Sequence, residues 1–174
     1  MQHTLNIEFE SIARESDIVF TPEWVSEDII KGFSLDGICL DPCKGDGAFY
    51  KYLPNGSKYC ELREGRDFFQ FKEKVNWIIG NPPYSIFEEF LKHSFSISNN
   101  VSYLLPTNKV FQRQLIMDMI NDYGGIKSIK IYGSGFLIGV PFGFSVGNFH
   151  FQKGYTGATE IKMGMKTIFN TDKL

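Results

Sequence analysis

Residues 81 to 84 read Asn81-Pro82-Pro83-Tyr84 and follow the apolar run Val75-Asn76-Trp77-Ile78-Ile79-Gly80. The tetrapeptide supplies a side-chain amide oxygen, a stiffened backbone with freed carbonyls, and an aromatic plate. Both proline nitrogens lack a hydrogen, and ring closure fixes φ at each. Each proline also holds the residue before it, Asn81 or Pro82, in an extended conformation. Together these groups suit a flat exocyclic amine such as the N6 of adenine. Taken alone, the four residues also read as a strand ending before a helix, because proline punctuates loops generally.

A partner motif upstream changes the weighting. Asp41-Pro42-Cys43-Lys44-Gly45-Asp46-Gly47-Ala48-Phe49 follows Gly37-Ile38-Cys39-Leu40, which reads as a strand. Phe49 to Leu53 reads as a short helix, closed by the turn Pro54-Asn55-Gly56. Gly45 and Gly47 thus lie in a strand-to-helix turn, where glycine permits close approach of a ligand to the backbone. The third glycine of a dinucleotide fingerprint is missing, and an acid opens the loop. Asp41 would repel a pyrophosphate and suits a ligand carrying an amino group. Glu61 stands 20 residues further on, after the candidate strand Ser57-Lys58-Tyr59-Cys60. An acid at that offset is placed for both ribose hydroxyls. Asp67 and Phe68 then offer a carboxylate for an adenine amine and a ring for stacking. The order suits S-adenosylmethionine better than a phosphate-bearing nucleotide.

With these motifs in place, the chain resembles the amino-group DNA methyltransferases, chiefly the N6-adenine class. The resemblance covers about residues 17 to 151 and includes Phe20-Thr21-Pro22-Glu23-Trp24-Val25, similar to the family's N-terminal cofactor motif. The motif order is similar to the gamma-type arrangement. N4-cytosine members usually carry Ser in place of Asn81. The resemblance implies S-adenosyl-L-methionine as cofactor, held by Thr21, Pro22, Asp41, Pro42, Cys43, Gly45, Gly47, Glu61, Asp67, Phe68 and Asn81. It implies catalysis by Asn81, Pro82, Pro83 and Tyr84, with Tyr84 and either Phe142 or Phe144 as aromatic walls on the base. Lys109 and Arg113, four apart and so on one helical face, are the candidate phosphate contacts, although a solvated surface is their commoner fate. Cys43 is not read as a methylation nucleophile, because its place inside the cofactor loop accounts for it.

Composition sets the outer limits. The 174 residues are 43% hydrophobic and 16% aromatic, enough for one domain with a real core. Core packing must explain most of the 17 phenylalanines. A net charge of −2 is a poor global footprint for nonspecific nucleic-acid binding. Cys39, Cys43 and Cys60 lack metal spacing, His3, His93 and His150 are scattered, and no metal is expected. With no leader or apolar span of membrane length, a cytoplasmic protein without membrane attachment is expected.

Periodicity supplies the frame. Residues 1 to 16 read as a loose start. Thr21 is expected to cap a helix beginning at Pro22, with Trp24, Val25, Ile29 and Ile30 on its apolar face. Ile86, Phe87, Phe90, Leu91 and Phe95 mark a second helix. Val101 to Leu105 reads as a strand. Thr107 is expected to cap one helix with Val110, Phe111, Leu115, Met119 and Ile120 inward, ended by Gly124-Gly125. Ile126 to Tyr132 and Val146 to Gln152 read as strands, Gly133 to Gly143 as a mobile loop, and Thr159 to Met165 as an edge strand or arm. Alternating strands and helices predict an α/β sheet, mostly parallel, with helices on both faces. The resemblance adds the Rossmann-like class I methyltransferase fold, its last strand antiparallel. The ligand is expected beyond the carboxyl ends of the strands.

Only 23 residues follow Phe151, so no target-recognition domain is expected in this single domain. A partner subunit, a homodimer, short loops or relaxed specificity, as in a phage or mobile-element enzyme, would then fill its role. DNA adenine is the first substrate reading and RNA adenine the second. A protein glutamine amide and a non-catalytic partner subunit follow.

Overall fold

The computed structural model describes residues 19–141 and 143–164. The readings of residues 1 to 16, Phe142 and Met165 lie outside the described residues. The elements are α1 (Glu23–Lys31), β1 (Cys39–Asp41), β2 (Lys58–Tyr59), β3 (Val75–Gly80), α2 (Phe87–Ile97), β4 (Ser98–Pro106), α3 (Thr107–Phe111), α4 (Gln114–Tyr123), β5 (Gly124–Ser134), β6 (Ser145–Lys153) and β7 (Glu160–Met163). One-turn helices at Tyr50–Tyr52, Leu62–Glu64, Phe68–Gln70, Tyr84–Ile86 and Gly135–Ile138 fill the connections.

The seven strands form one sheet in the order β2-β1-β3-β4-β6-β5-β7. Neighbours β2, β1, β3 and β4 run parallel, and β7 runs parallel to β5. β6, the last core strand, is antiparallel to both β4 and β5. Because strand side chains alternate between faces, each central strand feeds two cores. Ile78, Val101, Tyr103 and Leu105 meet α2 and α4 on one face. Trp77, Ile79 and Leu104 meet Val25, Ile29 and Ile30 of α1 on the other.

Three expectations need correction. The first helix begins at Glu23, with Pro22 as its N-cap and no side-chain cap, because the Thr21 hydroxyl is engaged elsewhere. The helix expected after Thr107 is two helices. Arg113 is extended (φ −119°, ψ 124°), which resets the helical phase. Phe111 and Leu115 therefore face solvent, and Ile116 and Ile120 carry α4 inward. The glycine-rich stretch after β5 is folded down, with Ile138 and Val140 buried beside α1. Among the described residues no helix is long and apolar enough to cross a membrane.

The sheet also carries a buried polar layer. Ser102 donates to Asn148 Oδ1 at 3.0 Å, and the His150 Nε2 lies 3.0 Å from Asn100 Oδ1. His150 is 4% exposed and stacks on Trp77. Burial, with Lys127 nearby, pushes its imidazole from an ordinary 6.5 down to about 4. Between those values the unfolded chain binds the proton and the folded one does not. The stability contributed is therefore full above pH 6.5 and is lost as pH falls towards 4. We expect His150→Gln to remove about 3 kcal/mol of the acid-induced loss in urea unfolding free energy. Unfolding curves at neutral pH and near pH 4 check it.

Candidate active site

Parallel pairing of β1 with β3, Leu40 opposite Ile78, brings the chain leaving Asp41 beside the chain leaving Gly80. Gly80 makes the approach possible. A Cβ there would stand 3.0 Å from Pro42 Cδ and 3.1 Å from Asp41 Oδ1. The sequence signal for this was a glycine ending a strand of large apolar residues.

Asp41 is 1% exposed. Its Oδ1 accepts the Cys43 backbone N–H at 3.2 Å, while its buried Oδ2 has no hydrogen-bond partner of good geometry among the described residues, the Tyr50 N–H acting on the carboxyl only weakly. Burial pushes this carboxyl up to about 7, against the pull of the Cys43 N–H, and Glu61 raises it further. The loop then turns through Gly45 (φ 55°) and Gly47 (φ 89°), both left-handed, where glycine is favoured. A Cβ at Gly47 would meet nothing within 4 Å, so the loop surface is open. Glu61, two residues past β2, reaches back to this loop, its Oε2 accepting the Gly45 N–H at 2.8 Å. Burial works to raise the Glu61 carboxyl. Hydrogen bonds from the Arg63 side chain and backbone and from Gly45 outweigh it and hold the group below its ordinary value.

Asn81 opens the tetrapeptide at the end of β3. Its Nδ2 donates to Thr21 Oγ1 at 3.1 Å and to the Val19 carbonyl at 3.3 Å. A backbone carbonyl can only accept, so the amide cannot be turned round. Its Oδ1 is left buried without a donor among the described residues. The Asn81 main-chain carbonyl is already taken by the Cys43 thiol at 3.1 Å. Burial, Asp41 and Glu61 push that thiol well above its usual range, so Cys43 stays protonated and ties the two motifs together. Pro82 is buried, and Pro83 and Tyr84 are half-buried. Burial raises the Tyr84 hydroxyl far above its ordinary value, with the Asn81 side chain drawing it back.

Other expected residues are placed differently. Asp67 spends Oδ1 on the Phe69 N–H at 2.9 Å. Phe68 is 3% exposed among Phe69, Phe90 and His93, which leaves it core packing and no open stacking face. A groove of about 440 Å3 opens beside Asp67, with Tyr50, Tyr59 and Phe71 as aromatic walls and Arg66 at its side. Lys109 lies on α3, but Arg113 falls in the break before α4 and pairs with Glu88, so they share no helical face. Phe144 is exposed where β6 begins, near exposed Phe136, whose ring lies beside Gly143.

No protein-family model matches the chain, and no curated protein sequence does. Solved structures do match in shape. A Pyrococcus horikoshii protein assigned as an RNA methyltransferase aligns at TM-score 0.55 and 17% identity, over 75% of this chain and 80% of that one. A Vibrio vulnificus modification subunit assigned to a type I restriction enzyme aligns at TM-score 0.61 and 14% identity, over 92% and 51%. The methyltransferase subunit of a Streptococcus thermophilus type I restriction-modification system aligns at TM-score 0.61 and 12% identity, over 79% and 45%. The chain has the class I methyltransferase fold. It spans about half of each type I subunit.

The orphaned Asp41 carboxyl gives this fold a testable signature. Its folded value near 7 lies above the ordinary 3.8, so its contribution to stability is present in acid and lost as pH rises through about 7. Asp41→Asn keeps an acceptor for Cys43 and removes the buried charge. We expect the variant to be more stable than wild type above neutral pH by on the order of 2–4 kcal/mol, the gap closing in acid. Urea midpoints across pH measure it.

Proposed function

We propose that this chain is an S-adenosylmethionine-dependent methyltransferase acting on the exocyclic N6 of adenine in DNA, with the base flipped from a duplex or already unpaired. The observation that carries the reading is the Asn81 amide, fixed by its nitrogen and left with a buried oxygen that meets no donor among the described residues.

The residues present fit the cofactor. Asp41 offers a buried acceptor to an ammonium group, Gly45 and Gly47 leave backbone open to contact, and Glu61 stands where a ribose would follow. The groove by Asp67 is of a size for an adenine ring. Thr21 and Pro22 shape the site from outside the loop, Thr21 by holding Asn81. When bound, the cofactor supplies an electrophilic sulfonium methyl.

Adenine N6 is a poor nucleophile because its lone pair is delocalised into the ring. Asn81 Oδ1 accepts one amine hydrogen. The Pro82 carbonyl accepts the other. Two such bonds favour a pyramidal nitrogen with a localised lone pair. Tyr84 stacks on the base, and Phe144 forms the outer wall. Positioning supplies much of the rate, and no strong general base is required because the methylated amine loses its proton readily. A base inside a duplex must be extruded first.

We expect Asn81→Ala to lower methyl transfer to adenine by about 100-fold or more, with cofactor affinity changed by less than about threefold. Transfer at the wild-type rate in that variant would overturn the role of Asn81. Calorimetric binding and single-turnover transfer separate the two effects.

A further inference from the structure

Glu61 is more heavily engaged than a ribose-binding acid should be. An ionised carboxylate offers about four acceptor positions, two on each oxygen. Oε1 takes the Arg63 backbone N–H at 3.1 Å and the Arg63 Nε–H at 2.9 Å. Oε2 takes the Gly45 N–H at 2.8 Å. One position remains, on Oε2, whereas a vicinal diol brings two hydroxyl donors.

Room for the second hydroxyl must come from one of the three present donors. The Gly45 N–H belongs to the glycine loop, and the Arg63 N–H is the one that Glu61 caps at the turn Leu62–Glu64. Losing either means refolding backbone. The guanidinium can leave by side-chain rotation alone. Its side chain is 60% exposed, against 10% for Glu61, and Glu64 and Asp46 lie close enough to share its charge.

We infer that Arg63 is a displaceable occupant of the diol site. It closes Glu61 in this structure, must swing aside to admit both ribose hydroxyls, and so sets how strongly the site distinguishes a ribose from a sugar lacking them. The inference rests on Glu61 being the ribose acid, and Arg63 is a specificity-determining residue with no part in methyl transfer itself. Salt screens the exposed guanidinium end of the pair, which eases its displacement.

Adenosine and 2′,3′-dideoxyadenosine are the probes. Both are uncharged, so any salt dependence reports the protein's own ion pair. Calorimetry on wild type and Arg63→Ala is expected to give adenosine binding about threefold tighter in the variant, with dideoxyadenosine unchanged. Adenosine binding to wild type is expected to tighten as salt rises, and binding to the variant to stay flat. If both proteins prefer adenosine but Arg63→Ala binds it no more tightly, the inference falls and the ribose role of Glu61 stands. If neither protein distinguishes the two nucleosides, that role falls and takes the inference with it.

Discussion

Among the described residues three buried side-chain acceptors meet no donor, and two of them, Asp41 Oδ2 and Asn81 Oδ1, sit at the carboxyl ends of adjacent parallel strands. A buried polar group left unpaired costs about 1–3 kcal/mol, more when charged. A fold with no use for these groups would gain by replacing them. Here the surrounding bonds fix both side chains and their loops in place. Cys43 and Glu61 brace the glycine loop, and Thr21 and Val19 grip the amide nitrogen of Asn81. Among the described residues no donor completes them.

The sheet order explains why both residues stand at one edge of the sheet. Parallel strands β2, β1 and β3 all deliver their carboxyl ends to the same edge, and the connections there carry Glu61, the glycine loop and the tetrapeptide. In open α/β sheets that edge is where ligands bind. The antiparallel β6 brings the turn between β5 and β6, with exposed Phe136 and Phe144, to the same side. The apolar cores on the two faces make this frame rigid, so the loops need only be held locally.

Much of this was legible in the chain itself. The two motifs, the strand-to-helix turns and the alternating elements depend on local residue chemistry, and local chemistry is visible in a linear string. Contacts between distant segments are not. Thr21 looks like a helix cap, yet its hydroxyl serves an amide 60 residues away. Phe68 is apolar and adjacent to an acid, but only the packing of α2 reveals that its ring is enclosed. The break at Arg113 has no proline or glycine to announce it. Arg63 is one of many charged residues until its guanidinium is seen on Glu61.

Which group, if any, the Asn81 amide holds decides the proposed function. The most direct measurement is transfer of labelled methyl from S-adenosylmethionine to duplex DNA, single-stranded DNA and bulk RNA, with nucleoside analysis of the product. The account predicts N6-methyladenine in DNA. Label confined to another nucleoside or to RNA, or cofactor bound with no transfer to any of the three, would contradict it.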